Sequence, residues 1–226
     1  MRTIYLKMSI AINEYYGILS DKQILSEMRK KNIWIYPFNE KNLCNTSYDV
    51  TIGPNYYRVS KNPPKVLLPW DDESVEKYWG TPQYAETIVD ESMSNYYKLP
   101  IGTQIILLEP GELILAHTNE FIGGTNNICS MMKCRSSIGR IGISVCKDAD
   151  LGNIGYVNRW TMEISNFSQS IIPLVVGSRV AQIIFSYTGE VRNSYEKNGS
   201  YQGEYKTIED LLENWNTYDM LPKLKL

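Results

Sequence analysis

The sequence predicts a mainly β chain, a sandwich, jelly roll or barrel with one short helix near each end. Three observations carry this reading. Between Thr103 and Tyr187 a series of short β-rich runs follows one another, at 104–108, 112–117, 128–133, 142–146, 160–166, 171–176 and 180–186. Turn residues separate them, among them Glu109-Pro110-Gly111, Gly123-Gly124, Gly152-Asn153 and Val176-Gly177. The two capping signals lie outside this region, so nothing inside it suggests alternating β and α units.

Taken in order, the first element is a helix. Ser20-Asp21-Lys22-Gln23 reads as a capping box, and Ile24, Leu25 and Met28 follow at helical spacing until Lys30-Lys31-Asn32 ends the run. Residues 69–95, with Asp71-Asp72-Glu73-Ser74 and Gly80-Thr81-Pro82, are more polar and weakly periodic, and read as a solvated surface insertion. The strand-rich region comes next. After it, Thr207-Ile208-Glu209-Asp210 caps a run through Leu211, Leu212 and Trp215, a helix of two or three turns inside a tail spanning 190–226. With no internal repeat and no low-complexity linker, one domain over 1–226 is expected.

Composition narrows the chemistry. Of 226 residues 43% are apolar and 12% aromatic, enough for a substantial core, which excludes disorder as the main state. Twenty-three basic against 25 acidic side chains leave a charge of −2, no broad positive field for nucleic acid. Cys44, Cys129, Cys134 and Cys146 form no C-x-x-C pattern, so they read as buried thiols rather than zinc ligands. The chain has neither a signal-type h-region nor an apolar run near ~18 residues, so no membrane partner and a reduced, cytoplasmic setting are expected. A single histidine, His117, rules out H-E-x-x-H hydrolases and the zinc deaminases with H-x-E and C-x-x-C. Its apolar surroundings, Leu113 to Ala116, mark it as a structural, hydrogen-bonded histidine.

Two segments carry chemistry. Lys133-Cys134-Arg135-Ser136-Ser137-Ile138-Gly139-Arg140 combines cations, adjacent hydroxyls and a glycine, a turn suited to polyphosphate, although R-S-S also occurs in ordinary basic turns. In Trp160-Thr161-Met162-Glu163-Ile164-Ser165-Asn166, alternation puts Trp160, Met162 and Ile164 on one face and Thr161, Glu163 and Ser165 on the other. A glutamate in mid-strand marks either a wet face or a polar pocket; alternation alone favours the wet face.

The order and spacing of Arg135-Ser136-Ser137-Ile138-Gly139-Arg140, Ala149, Gly155 and Thr161-Met162-Glu163-Ile164 resemble the dCTP deaminases of the dUTPase-like superfamily. Ser47-Tyr48-Asp49-Val50 with Ile52-Gly53, the turn Glu109-Pro110-Gly111-Glu112, and Gly177 with Gln182-Ile183-Ile184-Phe185 are similar to further family segments, so the likeness covers most of 20–205. The resemblance implies a distorted β-barrel or jelly roll of the dUTPase-like type, a homotrimer with active sites between subunits, and Mg2+ bound through the nucleotide triphosphate rather than by protein side chains. The implied activity is hydrolytic deamination of dCTP to dUTP and ammonia, feeding dUMP and dTTP synthesis. A bifunctional deaminase and dUTP diphosphatase, a dUTPase, and an inactive nucleotide-binding relative are the alternatives.

Carried over residue by residue, the resemblance makes Glu163 the catalytic acid and base. Ser136 and Arg140 would position water and phosphate, and Ala149 would lend a backbone group near the reacting amine. Arg135, Ser137, Asn153, Tyr156, Thr161, Gln182, Tyr195, Tyr201 and Gln202 would contact substrate, the last three from a segment 195–203 that folds over the triphosphate. The chain departs from the family's pattern where Asn153 replaces an aspartate, Asn158 a glycine, Cys146 a histidine, Leu151 an arginine and Ser200 a lysine. Asn153 argues against diphosphatase chemistry, since an amide is no carboxylate base. Asp148 and Asp150 read as surface-loop carboxylates.

Overall fold

The structure, a computed structural model, describes residues 17–195, 199–202 and 207–224. The helix α1 (Asp21–Arg29) starts where its capping box is: Ser20 Oγ accepts the Gln23 N–H at 3.4 Å, and Gln23 Oε1 accepts the Ser20 N–H at 2.9 Å. Ile24 plants it on the core. Then come β1 (Ile33–Tyr36), β2 (Leu43–Cys44) and β3 (Ser47–Arg58). Within 69–95 lie α2 (Asp72–Trp79), β4 (Gln83–Tyr84), β5 (Glu86–Thr87) and α3, Glu91–Tyr97 with its last two residues just outside that stretch.

The strand-rich region supplies β6 (Gln104–Leu108), β7 (Leu113–Gly124), β8 (Ile128–Cys134), a short α4 (Ser136–Gly139), β9 (Ile143–Ser144), β10 (Leu151–Gly152), β11 (Val157–Asn166), β12 (Ile172–Val175) and β13 (Arg179–Tyr187). A C-terminal helix (Ile208–Asn214) and a 3-10 turn (Thr217–Met220) follow.

Every strand pair is antiparallel. The larger sheet runs β10-β8-β13-β3-β7-β11-β9, with β1 added on β7 and β2 and β4 on β3; β12-β6-β5 form a second, smaller sheet. Irregular register between Ile52 and Tyr56 of β3, and between Arg159 and Thr161 of β11, breaks the long ladders on both sides of β7 and lets the sheet curl. Its concave side holds the main core, in which Tyr48, Val50, Ile52, Ile106, Met162 and Phe185 are fully covered. The architecture is therefore mainly β and barrel-like, as the turn spacing predicts.

Three local outcomes differ from the sequence reading. The run at 142–146 is a strand only over Ile143–Ser144, because Cys146 (φ 64°) and Lys147 (φ 34°) turn the chain out of extended geometry. The long strand β3 is not among the runs read from the sequence, because Gly53 and Pro54 interrupt its apolar pattern. Gly53 is required there: a Cβ would lie 2.0 Å from the His117 ring. Finally, 69–95 is more than a solvated insertion. Asp71 and Asp90 cap two short helices, and Val75 and Trp79 are buried with Tyr57, Leu115, Met220 and Leu221 in a second core.

Candidate active site

Glu163 lies midway along β11, paired in register with Leu115 of β7. Trp160, Met162 and Ile164 point into the main core, which forces Thr161 and Glu163 onto the opposite face. That face is not a plain outer surface. It floors a cleft of about 520 Å³ in which Glu163 is half-buried, with Oε2 fully covered and without a hydrogen-bond partner. Burial pushes the Glu163 carboxyl above its ordinary value, opposed by its own backbone N–H and by the charge of Lys147.

The wall beside Glu163 is the turn between β9 and β11, which contributes Asp148, Ala149, Asp150, Leu151 and Asn153. Gly152 lets this turn approach closely, since a Cβ there would sit 2.4 Å from the Trp160 ring. Trp160 is fixed in turn by its Nε1–H, which donates to the Ile122 carbonyl at 2.9 Å. Asp148 and Asp150 are thus cleft carboxylates, and Asp150 is ion-paired with Lys133. Both lie in a loop, with Asp148 exposed, so they are surface-loop carboxylates as read from the sequence, at the edge of the cleft.

Aromatic residues form the far side. Tyr156 packs edge-on against Trp160 and Tyr195, and Tyr201 completes the wall. The tail carrying the last two is tied down by polar contacts. The Tyr195 N–H donates to the Ile154 carbonyl at 2.9 Å, Asn158 Nδ2 donates to the Tyr201 carbonyl at 3.0 Å, and Gln202 Oε1 accepts the Val157 N–H at 2.9 Å. Asn158 therefore has a job that glycine could not do. Gly203, the end of the predicted covering segment, lies outside the described residues.

One chain thus gathers Ala149, Asn153, Tyr156, Thr161, Glu163, Tyr195 and Tyr201 around one cleft. Gln202 anchors the tail and is not on the cleft wall. Arg135, Ser136, Ser137, Arg140 and Gln182 are not on it either. Arg135 Nε lies 3.2 Å from Asp49 Oδ2, Arg179 Nη1 lies 3.3 Å from the same oxygen, and Gln182 pairs in register with Asp49. Burial raises the Asp49 carboxyl, and the two guanidinium groups pull it back. Ser136, Ser137 and Arg140 stand exposed on and just after α4.

Sequence reasoning missed Lys147 and the apolar end of the cleft, where Trp79, Leu113, Leu115, Met220 and Pro222 meet. The period-two pattern of 112–117 held a signal for Leu113 and Leu115, because they share a face with the partner row of Glu163. Trp79, Met220 and Pro222 arrive through tertiary packing, for which no local pattern exists.

His117, the single histidine, is structural in its contacts. Its Nδ1–H donates to the Thr118 carbonyl at 2.8 Å and its ring packs on Trp215, while burial and then the Arg159 charge push it down to about 4. Among the described residues all four cysteines are free thiols, no group of three metal-ligating side chains is present, and no helix is long and apolar enough to cross a membrane.

The fold is similar to that of a solved 2′-deoxycytidine 5′-triphosphate deaminase from Agrobacterium tumefaciens. The two superpose with a TM-score of 0.51 at 21% identity, over 75% of this chain and 48% of that one, so this chain spans about half the length of the solved chain. A family model described as dCTP deaminase-like matches residues 18–188, and the chain belongs to that family. A relative from Streptomyces coelicolor is 31% identical over 83% of this chain and 91% of its own length. One from Clostridium acetobutylicum is 33% identical over 82% and 90%. Both relatives carry the name dCTP deaminase, dUMP-forming.

Proposed function

We propose that the chain deaminates dCTP hydrolytically, with Glu163 as the proton shuttle. The observation that carries this is a half-buried carboxyl with one covered, unpartnered oxygen at the floor of a nucleotide-sized cleft. Ionised, Glu163 takes a proton from a water that attacks C4 of the base, and the proton passes to the ring nitrogen N3. In the tetrahedral intermediate the regenerated carboxylate takes the proton of the new C4 hydroxyl and hands it to the amino group; the C4–N bond breaks, ammonia leaves, and a C4 carbonyl remains. The sum is dCTP and water to dUTP and ammonia. A carboxyl raised by burial suits both directions of transfer.

Among the described residues, no lysine or arginine lines the cleft of one chain to meet three phosphates. The Arg135 to Arg140 turn carries such cations, and it lies elsewhere on the same chain. Two half-sites on separate surfaces fit a homotrimer in which the turn of one subunit, with Ser136 and Arg140, meets the cleft of the next. Mg2+ would be held by the triphosphate, whose negative charge it offsets; the cleft offers the Asp148 carboxylate but no set of three ligands among the described residues.

The relatives' names favour a second reading, in which dUTP is cleaved further to dUMP and pyrophosphate. Asn153 cannot activate water for that step, but Asp148 stands on the same wall. Product analysis after incubation with dCTP and Mg2+ separates the readings. Ammonia with dUTP supports deamination alone, and ammonia with dUMP supports both steps. Absence of ammonia refutes the deaminase. In the second case Asp148→Asn should stop at dUTP; a variant that still makes dUMP removes Asp148 from the account.

A further inference from the structure

The cleft has two chemically different flanks, and the strand order decides which lies where. β11 runs between β7 and β9 in the larger sheet, so Glu163 has one side toward each. Toward β7 its register partner is Leu115, and Leu113 follows on the same face, opposite Ser165. Trp79 of α2 and Met220 and Pro222 of the C-terminal segment join these leucines, so this flank of the cleft is built of apolar side chains. Toward β9 the chain leaves the sheet after Ser144, and the turn at 148–153 stands there instead. It presents the polar side chains of Asp148, Asp150 and Asn153, while Leu151 is exposed.

Cytosine is two-sided in the same way. C4, where water attacks, lies between N3, which must receive a proton, and C5, which carries only hydrogen. With C4 at Glu163, N3 belongs beside groups that form hydrogen bonds and the C5–C6 edge beside groups that do not. The reverse orientation would bury a ring nitrogen against Leu115 without a partner, which is costly. The favoured orientation aims the C5 substituent at Leu115 and its apolar neighbours. A hydrogen at C5 leaves that wall bare, and a methyl group covers it.

We propose that the substrates of this cleft include 5-methylated cytosine deoxynucleotides, and that the chain deaminates 5-methyl-dCTP to dTTP with Leu115 as the specificity-determining residue. The inference rests on the deaminase reading and extends its substrate class. The reaction balances as it does for dCTP. The water oxygen bonds to C4, the C4–N bond breaks, ammonia leaves, and N3 keeps a proton. The methyl group is untouched, and no oxidant or reductant takes part, so 5-methyl-dCTP and water give dTTP and ammonia.

The test offers the full chain dCTP, 5-methyl-dCTP and 5-hydroxymethyl-dCTP with Mg2+, following ammonia release and identifying products by chromatography. Kd values are measured by calorimetry on Glu163→Gln, which should bind without turnover. One buried methyl group should make 5-methyl-dCTP bind about fourfold more tightly than dCTP, and dTTP should form with a kcat/KM no lower than that for dCTP. The hydroxyl of 5-hydroxymethyl-dCTP finds no partner on this wall and should forfeit the gain. Leu115→Asn should abolish the preference for the methylated nucleotide, a fall of about fourfold or more in the ratio of the two kcat/KM values. Should that variant not fold, Leu113→Asn, at a half-buried position on the same wall, carries the same comparison. Deamination of dCTP with a kcat/KM for 5-methyl-dCTP more than about tenfold lower overturns the proposal and leaves the deaminase reading standing. Equal Kd values for the methyl and hydroxymethyl nucleotides also overturn it, because C5 would then face water. Ammonia from neither dCTP nor 5-methyl-dCTP removes the deaminase reading and this activity with it, and the Kd ratio still decides whether the apolar wall meets C5.

Discussion

Tyr195 meets Tyr156 edge to face, with ring centroids 5.7 Å apart and planes at 85°. This contact joins the tail to the residues that lead into β11, and Asn158 adds a hydrogen bond to the Tyr201 carbonyl beside it. Substrate held under the tail would therefore feel the loss of either.

Asn158→Ala removes one side-chain hydrogen bond worth about 1 kcal/mol. KM for dCTP should rise about fivefold while kcat stays within about twofold. An equal fall in kcat with KM unchanged would show that the tail serves chemistry rather than binding.

Separation of the Arg135 to Arg140 turn from the cleft predicts complementation between subunits. Arg140→Ala and Glu163→Gln should each be nearly inactive alone. In the proposed homotrimer, assemblies mixed from both should regain activity, because some interfaces then combine an intact turn with an intact cleft. Mixtures no more active than their parents would place a complete site in one chain.

His117 makes acid stability predictable. Its folded value, about 4, lies below the ordinary 6.5, so the unfolded chain binds the proton first as pH falls. The contribution is complete above about 6.5 and is lost progressively down to about 4, by at most about 3 kcal/mol. Urea midpoints measured across that window should fall less steeply in His117→Gln than in the unaltered protein. Parallel curves would mean that other groups govern the acid limb.

Gly53 and His117 share one space, since a methyl group at 53 would lie 2.0 Å from the ring. Gly53→Ala should cost at least about 2 kcal/mol, seen as a lower Tm. A Tm within about 1 °C of the unaltered protein would show that the ring can move aside.

Much of this was legible in the chain itself, for reasons that differ by residue. Ser20 and Thr207 announce their helices because capping is local chemistry, and both boxes form as written. Trp160, Met162 and Ile164 reveal the buried face of β11 by alternation. Whether the other face was wet or lined a pocket depended on the turn at 148–153 and on the tail, which are far from Glu163 in sequence. The second core was unreadable for the same reason: Trp79 and Met220 meet only after the sheet has curled. Asn158 looked like a departure until its partner, the Tyr201 carbonyl, came into view.

The central claim is that a sheltered carboxyl moves the protons of deamination, and one comparison tests it most directly. Ammonia release from dCTP with Mg2+ should be readily measured in the unaltered protein and fall at least about a thousandfold in Glu163→Gln, with dCTP still bound at a similar Kd. Ammonia release by Glu163→Gln at a rate near that of the unaltered protein would contradict the account.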